Sequence, residues 1–275
     1  MKSIHIVEPS LPMAWEKAVL ACWEQGERFP TEYDKPGDPR SRDVVALIHV
    51  TDPFAEPRIH RAFPGGLGDL EKYRAEVLYG VHDHWIDPAA GKWEYTYHQR
   101  LVRYDVPGRG MHDQLAAAVK RLRAAPHTRR AQAVTWQVWQ DMEIDDPPCL
   151  QRLWFRVSGG RLHMVAHIRS NDAFKAAFMN MYAFTELQRM MAVQVGVEPG
   201  EYLHMADSFH IYGSYFEGFE GFLQTVRSRE AQERVYTTDF ARDFFIEGCE
   251  ALLSEPDMPE EKKQLVRQRR AELTV

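Results

Sequence analysis

Cys149 stands in the run Asp145-Asp-Pro-Pro-Cys-Leu-Gln151, directly before residues patterned as a strand. The two prolines hold the backbone extended as it enters that strand, which would aim the thiol in one direction. A thiolate so presented can add to an electrophilic carbon. A core position competes with that reading, because free cysteine is among the most buried residue types. Twenty residues on comes Arg169-Ser-Asn-Asp172. A guanidinium on the same side of the sheet as the thiol would hold a phosphate and lower the thiol pKa from about 8.5. An ordinary surface ion pair between Arg169 and Asp172 would account for the same residues. His82-Asp83-His84 with His60 raises metal-dependent hydrolysis, but these histidines lack the spacing of a helical metal pair.

These groups need elements to position them. Residues 10–27 carry Trp15, Val19, Cys22 and Trp23 at helical spacing behind a Ser-Leu-Pro start. Residues 43–50 read as a buried strand, 52–68 as a Pro- and Gly-rich loop, and 69–79 as a second helix. Residues 93–104 mix aromatic and polar side chains, as in a strand or loop at the edge of a site. A helix is expected over 112–125 and a strand over 130–140. Residues 150–157 and 162–169 flank Gly159-Gly160, a strong hairpin signal. Residues 173–195 form a long apolar helix stopped by Gly196 and Pro199, hydrophobic enough to be buried on most sides. Residues 201–215 are strand-like, and three helical stretches complete the chain. With no repeat, low-complexity tract or linker, the pattern predicts one α+β domain over residues 1–275.

Composition limits what such a domain can meet. The 275 residues are 44% hydrophobic and 12% aromatic, sufficient for a substantial core, and the net charge of −6 argues against a surface that holds nucleic acid. Three scattered cysteines suit a reducing compartment and argue against a disulfide framework or a Cys-rich zinc site. The apolar part of the N-terminus is too short for a signal peptide, and no run has the length of a membrane span, so a soluble cytoplasmic protein is expected.

From Arg129 to Tyr212 the chain resembles thymidylate synthases and the related pyrimidine nucleotide hydroxymethylases. The matching pieces come in the family's order: Arg129-Arg130 before a strand, Pro148-Cys149, Arg169-Ser170-x-Asp172, Asn180, and His210-x-Tyr212. Upstream, Ala75-Glu76-Val77-Leu78-Tyr79 is similar to the helix bearing the family's catalytic glutamate, and Tyr95-Thr-Tyr97 to its active-site tyrosine. The resemblance implies a thymidylate synthase-like mixed sheet packed with a long central helix. It implies that Cys149 adds to C6 of a pyrimidine nucleoside 5′-monophosphate, so that C5 can attack the methylene of 5,10-methylenetetrahydrofolate, with no metal. Glu76 and Tyr97 would belong to the network that removes the C5 proton. Arg169 and Ser170 would hold the phosphate, joined across a homodimer interface by Arg129 and Arg130 of the other subunit. Asn180 would read the base edge, with its amide tilting the choice toward uracil, His210 and Tyr212 would bind the sugar, and Asp172 would face the pterin. A solvated helix carboxylate for Glu76 and a satisfied core histidine for His210 remain the plainer alternatives.

Several positions depart from dTMP-forming synthases. Leu150 follows the nucleophile where those enzymes have His, and Ala176-Ala-Phe-Met-Asn180 replaces Gly-Leu-Pro-Phe-Asn. The usual phosphate loop is replaced near Arg28 by Phe29-Pro-Thr-Glu-Tyr33, leaving Arg40 or Arg42 as substitutes. The segment between Glu76 and Tyr97 is short, and no tryptophan aligns with the one that packs on folate. A looser pocket would admit water to quench the methylene left on the base, where a dry one favours hydride transfer. The departures therefore lean toward a 5-hydroxymethyl product, with methylation of dUMP to dTMP as the alternative and a non-catalytic nucleotide-binding homologue as a remote one.

Overall fold

The computed structural model describes residues 1–274, and the chain divides into two compact units, each threaded more than once. The first comprises Met1–Gly65, His167–Met181 and Glu201–Phe240, and the second Gly66–Ala166, Tyr182–Gly200 and Ala241–Val275. Both combine helices with sheet, as an α+β chain should.

In the first unit the strand Ser41–Val50 lies between a parallel partner, Ser3–Glu8, and an antiparallel one, Glu198–Ile211. The edge strand at residues 3–8 has no counterpart in the sequence-level reading. The register against residues 42–50 slips between Ala206 and Phe209, so Asp207 and Ser208 form a bulge just ahead of Phe209 and His210. A bulge re-aims the side chains that follow it. The two-residue strand Asn171–Asp172 runs parallel to Phe209–His210. The helix Leu11–Gln25 covers this sheet with a buried face including Trp15 and Val19. Trp15 packs edge-on against His60 and Phe222, 5.0 and 5.4 Å between ring centres, and its indole N–H donates to the Ala173 carbonyl at 2.8 Å.

In the second unit the strands Leu150–Ser158 and Arg161–Ile168 are joined at Gly159 and Gly160, with φ of 58° and 74°. That left-handed pair is the tight hairpin turn expected from Gly-Gly. Gln132–Val134 pairs antiparallel with the outer side of Leu150–Ser158. Helices Leu67–Tyr79, Arg242–Leu253 and Glu260–Leu273 pack around Ala75, Val81, Cys249, Leu252, Met258 and Val266. The helix Ala177–Val195 begins in the first unit and ends in the second. Its start lies four residues later than expected, because the Asp172 carboxylate accepts the backbone N–H groups of Phe174 and Lys175 at 3.0 and 2.8 Å and holds a turn there.

Two local expectations are corrected. Residues 93–104 are strand or loop only at their two ends, for between them Tyr97–Val102 is a short helix whose Thr96 hydroxyl caps the Gln99 N–H at 3.0 Å. Arg100 in that helix makes a bidentate bond to buried Asp141, at 2.7 and 3.2 Å, which outweighs the extended propensity of the aromatics. The strand expected over 130–140 stops at Val134. Asp141 accepts the Gln137 N–H at 2.6 Å and draws the chain into the helical turn Val138–Asp141.

Candidate active site

The second unit gathers the proposed catalytic residues. Glu76 is in the last turn of Leu67–Tyr79, which ends at Gly80 with φ 64°. A Cβ at Gly80 would lie 2.1 Å from His98 Nδ1 and 2.5 Å from Asp83 Oδ2, so glycine is required by handedness and by space alike. The chain then turns back, and His82 Nδ1 meets Glu76 Oε2 at 2.8 Å while His82 Nε2 lies 3.5 Å from Glu255 Oε1. The imidazole stacks on Trp85, 3.8 Å between centres and 9° apart, and Trp93 meets both rings edge-on. Burial disfavours the charged ring, but the hydrogen bond and charge of Glu76, with Glu255 behind, overcome it and raise the His82 pKa above 6.5. Glu76 is thus held in place by a cation-forming partner.

A cleft of about 460 Å³ opens beside this pair, lined among others by Glu76, Trp93, Tyr95, Tyr97 and Asp146. The Tyr97 hydroxyl accepts the Leu150 N–H at 3.3 Å, which brings the phenol to the residue following the half-buried Cys149. Desolvation, with Tyr73, Cys149 and Tyr95 close by, holds the Tyr97 phenol well above its ordinary pKa, so it stays protonated. The entry of the strand is anchored too: the Thr135 N–H donates to Gln151 O at 3.1 Å, and the Gln151 amide donates to Pro148 O at 2.7 Å. Arg129 and Arg130 stand exposed just before Gln132–Val134, and the Arg129 carbonyl accepts from the Trp154 indole at 3.1 Å.

The first unit contains the other residues proposed to hold the nucleotide, apart from Arg129 and Arg130. Arg169 and Ser170 are half-buried at the end of Arg161–Ile168, where the Arg169 carbonyl accepts the Ser208 N–H from the bulge at 3.2 Å. Ser208 donates to Asp43 at 2.5 Å and lies 3.0 Å from His210 Nδ1. With its proton given to Asp43, the Ser208 oxygen accepts from Nδ1–H, which leaves Nε2 as the acceptor of a neutral ring. Burial pushes the His210 pKa down to about 4, and Nε2 is buried without a hydrogen-bond partner among the described residues. A sugar hydroxyl is the kind of donor that nitrogen lacks. Tyr212 meets His210 edge-on at 4.6 Å. It is followed by Gly213, where a Cβ would fall 1.6 Å from the Pro39 carbonyl oxygen, so glycine lets the two segments close.

Asp172 has its pKa raised by burial, against the two N–H bonds that it accepts. Asn180, in the first turn of its helix, accepts from the Asn171 amide at 2.9 Å. Arg42 stacks over Trp23 at 5.1 Å, and Arg40 is exposed. The histidines considered for a metal are dispersed to separate partners: His60 to Glu16 at 2.8 Å in the first unit, His82 to Glu76 in the second. Among the described residues no helix is long and apolar enough to cross a membrane.

The family profile described as "Thymidylate synthase" matches residues 70–249. The chain belongs to the thymidylate synthase family. It is 30% identical over 213 residues to the protein named "Putative thymidylate synthase" of Methanocaldococcus jannaschii, covering 75% of this chain and 90% of that one. The protein of the same name from Methanopyrus kandleri is 39% identical over 204 residues, covering 74% and 90%. That of Methanosarcina acetivorans is 26% identical over 213 residues, covering 78% and 91%. Membership carries folate-dependent transfer to C5 of a pyrimidine nucleotide at the level of the family.

Within this thymidylate synthase-family chain, sequence reasoning missed the assembly around Glu76. The sequence suggests only a metal role for His82 and aligns no tryptophan with the folate, whereas Trp93 lines the cleft and Trp85 backs His82. The available signal was Gly80 closing the helix four residues after Glu76, which returns the chain toward the carboxylate.

Proposed function

We propose that this chain transfers a one-carbon unit from 5,10-methylenetetrahydrofolate to C5 of a pyrimidine nucleoside 5′-monophosphate, through an adduct between Cys149 and C6. The observation that carries the reading is the convergence of Glu76 and Tyr97 on one cleft, with Tyr97 bonded to the amide next to Cys149. In this reading Cys149 supplies the electron pair that makes C5 nucleophilic, and departs when the adduct collapses. Glu76, positioned by His82, takes the C5 proton directly or through water, and the protonated Tyr97 donates to that network. The aromatic walls from Trp93 and Tyr95 suit the flat face of a pterin, and Lys92 at the same cleft suits the acidic tail of a folate. The folate supplies the methylene carbon.

Arg169 and Ser170, with Arg129 and Arg130 of a second subunit, take the phosphate, His210 and Tyr212 the sugar, Asn180 the base and Asp172 the pterin. The exposure of Arg129 and Arg130 supports their reaching another subunit of a homodimer. Both compact units then serve a single thymidylate synthase-like domain. Leu150 and the run Ala176 to Met179 remove packing and polar groups present in dTMP-forming enzymes, which supports a 5-hydroxymethyl product. The names of the archaeal relatives favour methylation of dUMP instead.

Two measurements test this. Release of the C5 hydrogen from labelled nucleotide, present in the wild type and lost in Cys149→Ala, tests the adduct. Mass analysis of the product with UMP, dUMP, CMP and dCMP tests the branch. A methyl product with stoichiometric dihydrofolate overturns hydroxymethylation, and wild-type turnover by Cys149→Ala overturns the nucleophile.

A further inference from the structure

Behind Asn180 lies a row of buried polar side chains that the proposed chemistry leaves unused. The Tyr202 hydroxyl is 2.8 Å from His204 Nδ1, His204 Nε2 is 2.8 Å from Asn171 Oδ1, and Asn171 Nδ2 donates to Asn180 Oδ1 at 2.9 Å. Tyr202 and His204 are wholly buried, and Asn171 and Asn180 nearly so. Tyr202 and His204 share the strand Glu198–Ile211, Asn171 lies in the short strand beside it, and Asn180 opens the following helix. Four side chains from three elements thus converge in one line.

We propose that Tyr202, His204 and Asn171 are positioning residues: they fix which way round the Asn180 amide stands, and so select a 4-oxo pyrimidine, uracil, over the 4-amino pyrimidine, cytosine. The proposal rests on the reading of Asn180 as the residue that meets the base edge.

The direction follows from the two faces of Asn171, whose oxygen lies toward His204 Nε2 and whose NH2 donates to Asn180. Burial pushes the His204 pKa down to about 3, so the ring is neutral and carries one N–H. An oxygen of Asn171 faces Nε2, which therefore bears the proton, and Nδ1 accepts from the Tyr202 hydroxyl. Asn171 then has its oxygen engaged by His204, and only its NH2 can face Asn180. Asn180 must answer with its oxygen, so its own NH2 takes the opposite prong of the amide. Such an amide donates to O4 of uracil and accepts N3–H on the second lone pair of Oδ1. Against cytosine it would set N–H against the 4-amino group and a lone pair against the lone pair of N3. Turning the amide to fit cytosine requires turning Asn171 and moving the His204 proton as well. The relay converts a free rotamer choice into a cooperative one.

The test is the ratio of kcat/KM for C5-hydrogen release from the uridylate over the cytidylate, each with the pentose that the wild type prefers. Asn171→Asp replaces one NH2 by an oxygen that can only accept while ionised beside His204, so Asn180 must turn and donate to it. The ratio should favour uridylate in the wild type and fall by at least about tenfold in Asn171→Asp, through loss on uridylate and gain on cytidylate. A gain on the second substrate is something a loosened fold does not produce. Tyr202→Phe, which lies at the far end and lets His204 take either tautomer, should move the ratio toward unity. It decides the matter if thermal melting shows that Asn171→Asp is unfolded. A selective wild type whose ratio is unchanged in a folded variant, or a wild type that prefers cytidylate, overturns the relay and leaves the proposed function standing. A wild type that neither binds nor labilises either nucleotide overturns both.

Discussion

The two polar centres of this chain are built on opposite electrostatic plans. In the first unit, His204 and His210 are buried and kept neutral, with pKa values pushed down to about 3 and about 4. In the second unit, the pKa of His82 is pushed the other way by Glu76 and Glu255, beside a cleft that Glu76 and Trp93 line. The difference suits the roles proposed above for the two centres. Reading the hydrogen-bond pattern of an uncharged sugar and base calls for fixed donors and acceptors, since a proton gained or lost would reverse the reading. Moving a proton off C5 calls for a carboxylate whose charge is supported by a nearby partner. Desolvation dominates the first centre, and ion pairing overcomes it in the second.

The contrast can be broken most severely at the nucleophile. Cys149→Ala should lower turnover by roughly 10⁴-fold or more while nucleotide affinity stays near wild type, because it removes a covalent step and no binding group. Titration calorimetry beside the C5-hydrogen assay separates the two. Glu76→Gln should cost roughly 10²–10⁴-fold in kcat with little change in nucleotide Kd, the signature of a lost general base. A rise in KM alone would move Glu76 from chemistry to binding.

On the recognition side, Arg169→Ala should weaken the nucleoside monophosphate by roughly 10–150-fold and the matching nucleoside far less, as expected for one charged donor to phosphate. Equal weakening of the two ligands would remove Arg169 from the phosphate site. Gly80→Ala probes the scaffold of the other centre. A side chain at φ 64° costs about 1–2 kcal/mol before the contact with His98 is counted, so a fall of at least that size in urea-unfolding free energy is expected.

The contrast also extends to pH dependence, where the two centres should have opposite signs. His204 and His210 have folded pKa values below 6.5, so the unfolded chain takes up their protons first on acidification. Their contribution is full above pH 6.5 and is lost as the pH falls toward about 4 and 3, by up to about 1.4 kcal/mol per pH unit for each group. His82 has a raised pKa, so its contribution is full below 6.5 and lost as the pH rises through its folded value. Urea midpoints measured from pH 7 to pH 5 should fall in the wild type, and fall less steeply in His210→Gln. An unchanged slope in that variant would mean that His210 is not held neutral in the fold.

Local signals were written plainly into the chain. Gly159-Gly160 dictates its hairpin because two left-handed residues in succession suit few other backbones, and the helices Phe216–Ser228, Arg242–Leu253 and Glu260–Leu273 follow from periodicity. The proposed nucleophile and nucleotide-binding residues are legible as ordered motifs from Arg129 to Tyr212, and Glu76 and Tyr97 as shorter pieces upstream. Within residues 93–104 only Tyr97–Val102 departs from strand or loop, because a buried Arg100–Asp141 pair, joined over 41 positions, outweighs local propensity. The strand Ser3–Glu8 and the bulge at Asp207–Ser208 are likewise set by partners far along the chain. The sequence by itself determined which side chains could do chemistry and the order in which they come. Only the tertiary structure decided that His82 would brace Glu76, and that Tyr202, His204, Asn171 and Asn180 would stand in line. Burial and proton placement are properties of a neighbourhood, and a neighbourhood exists only once distant segments have met.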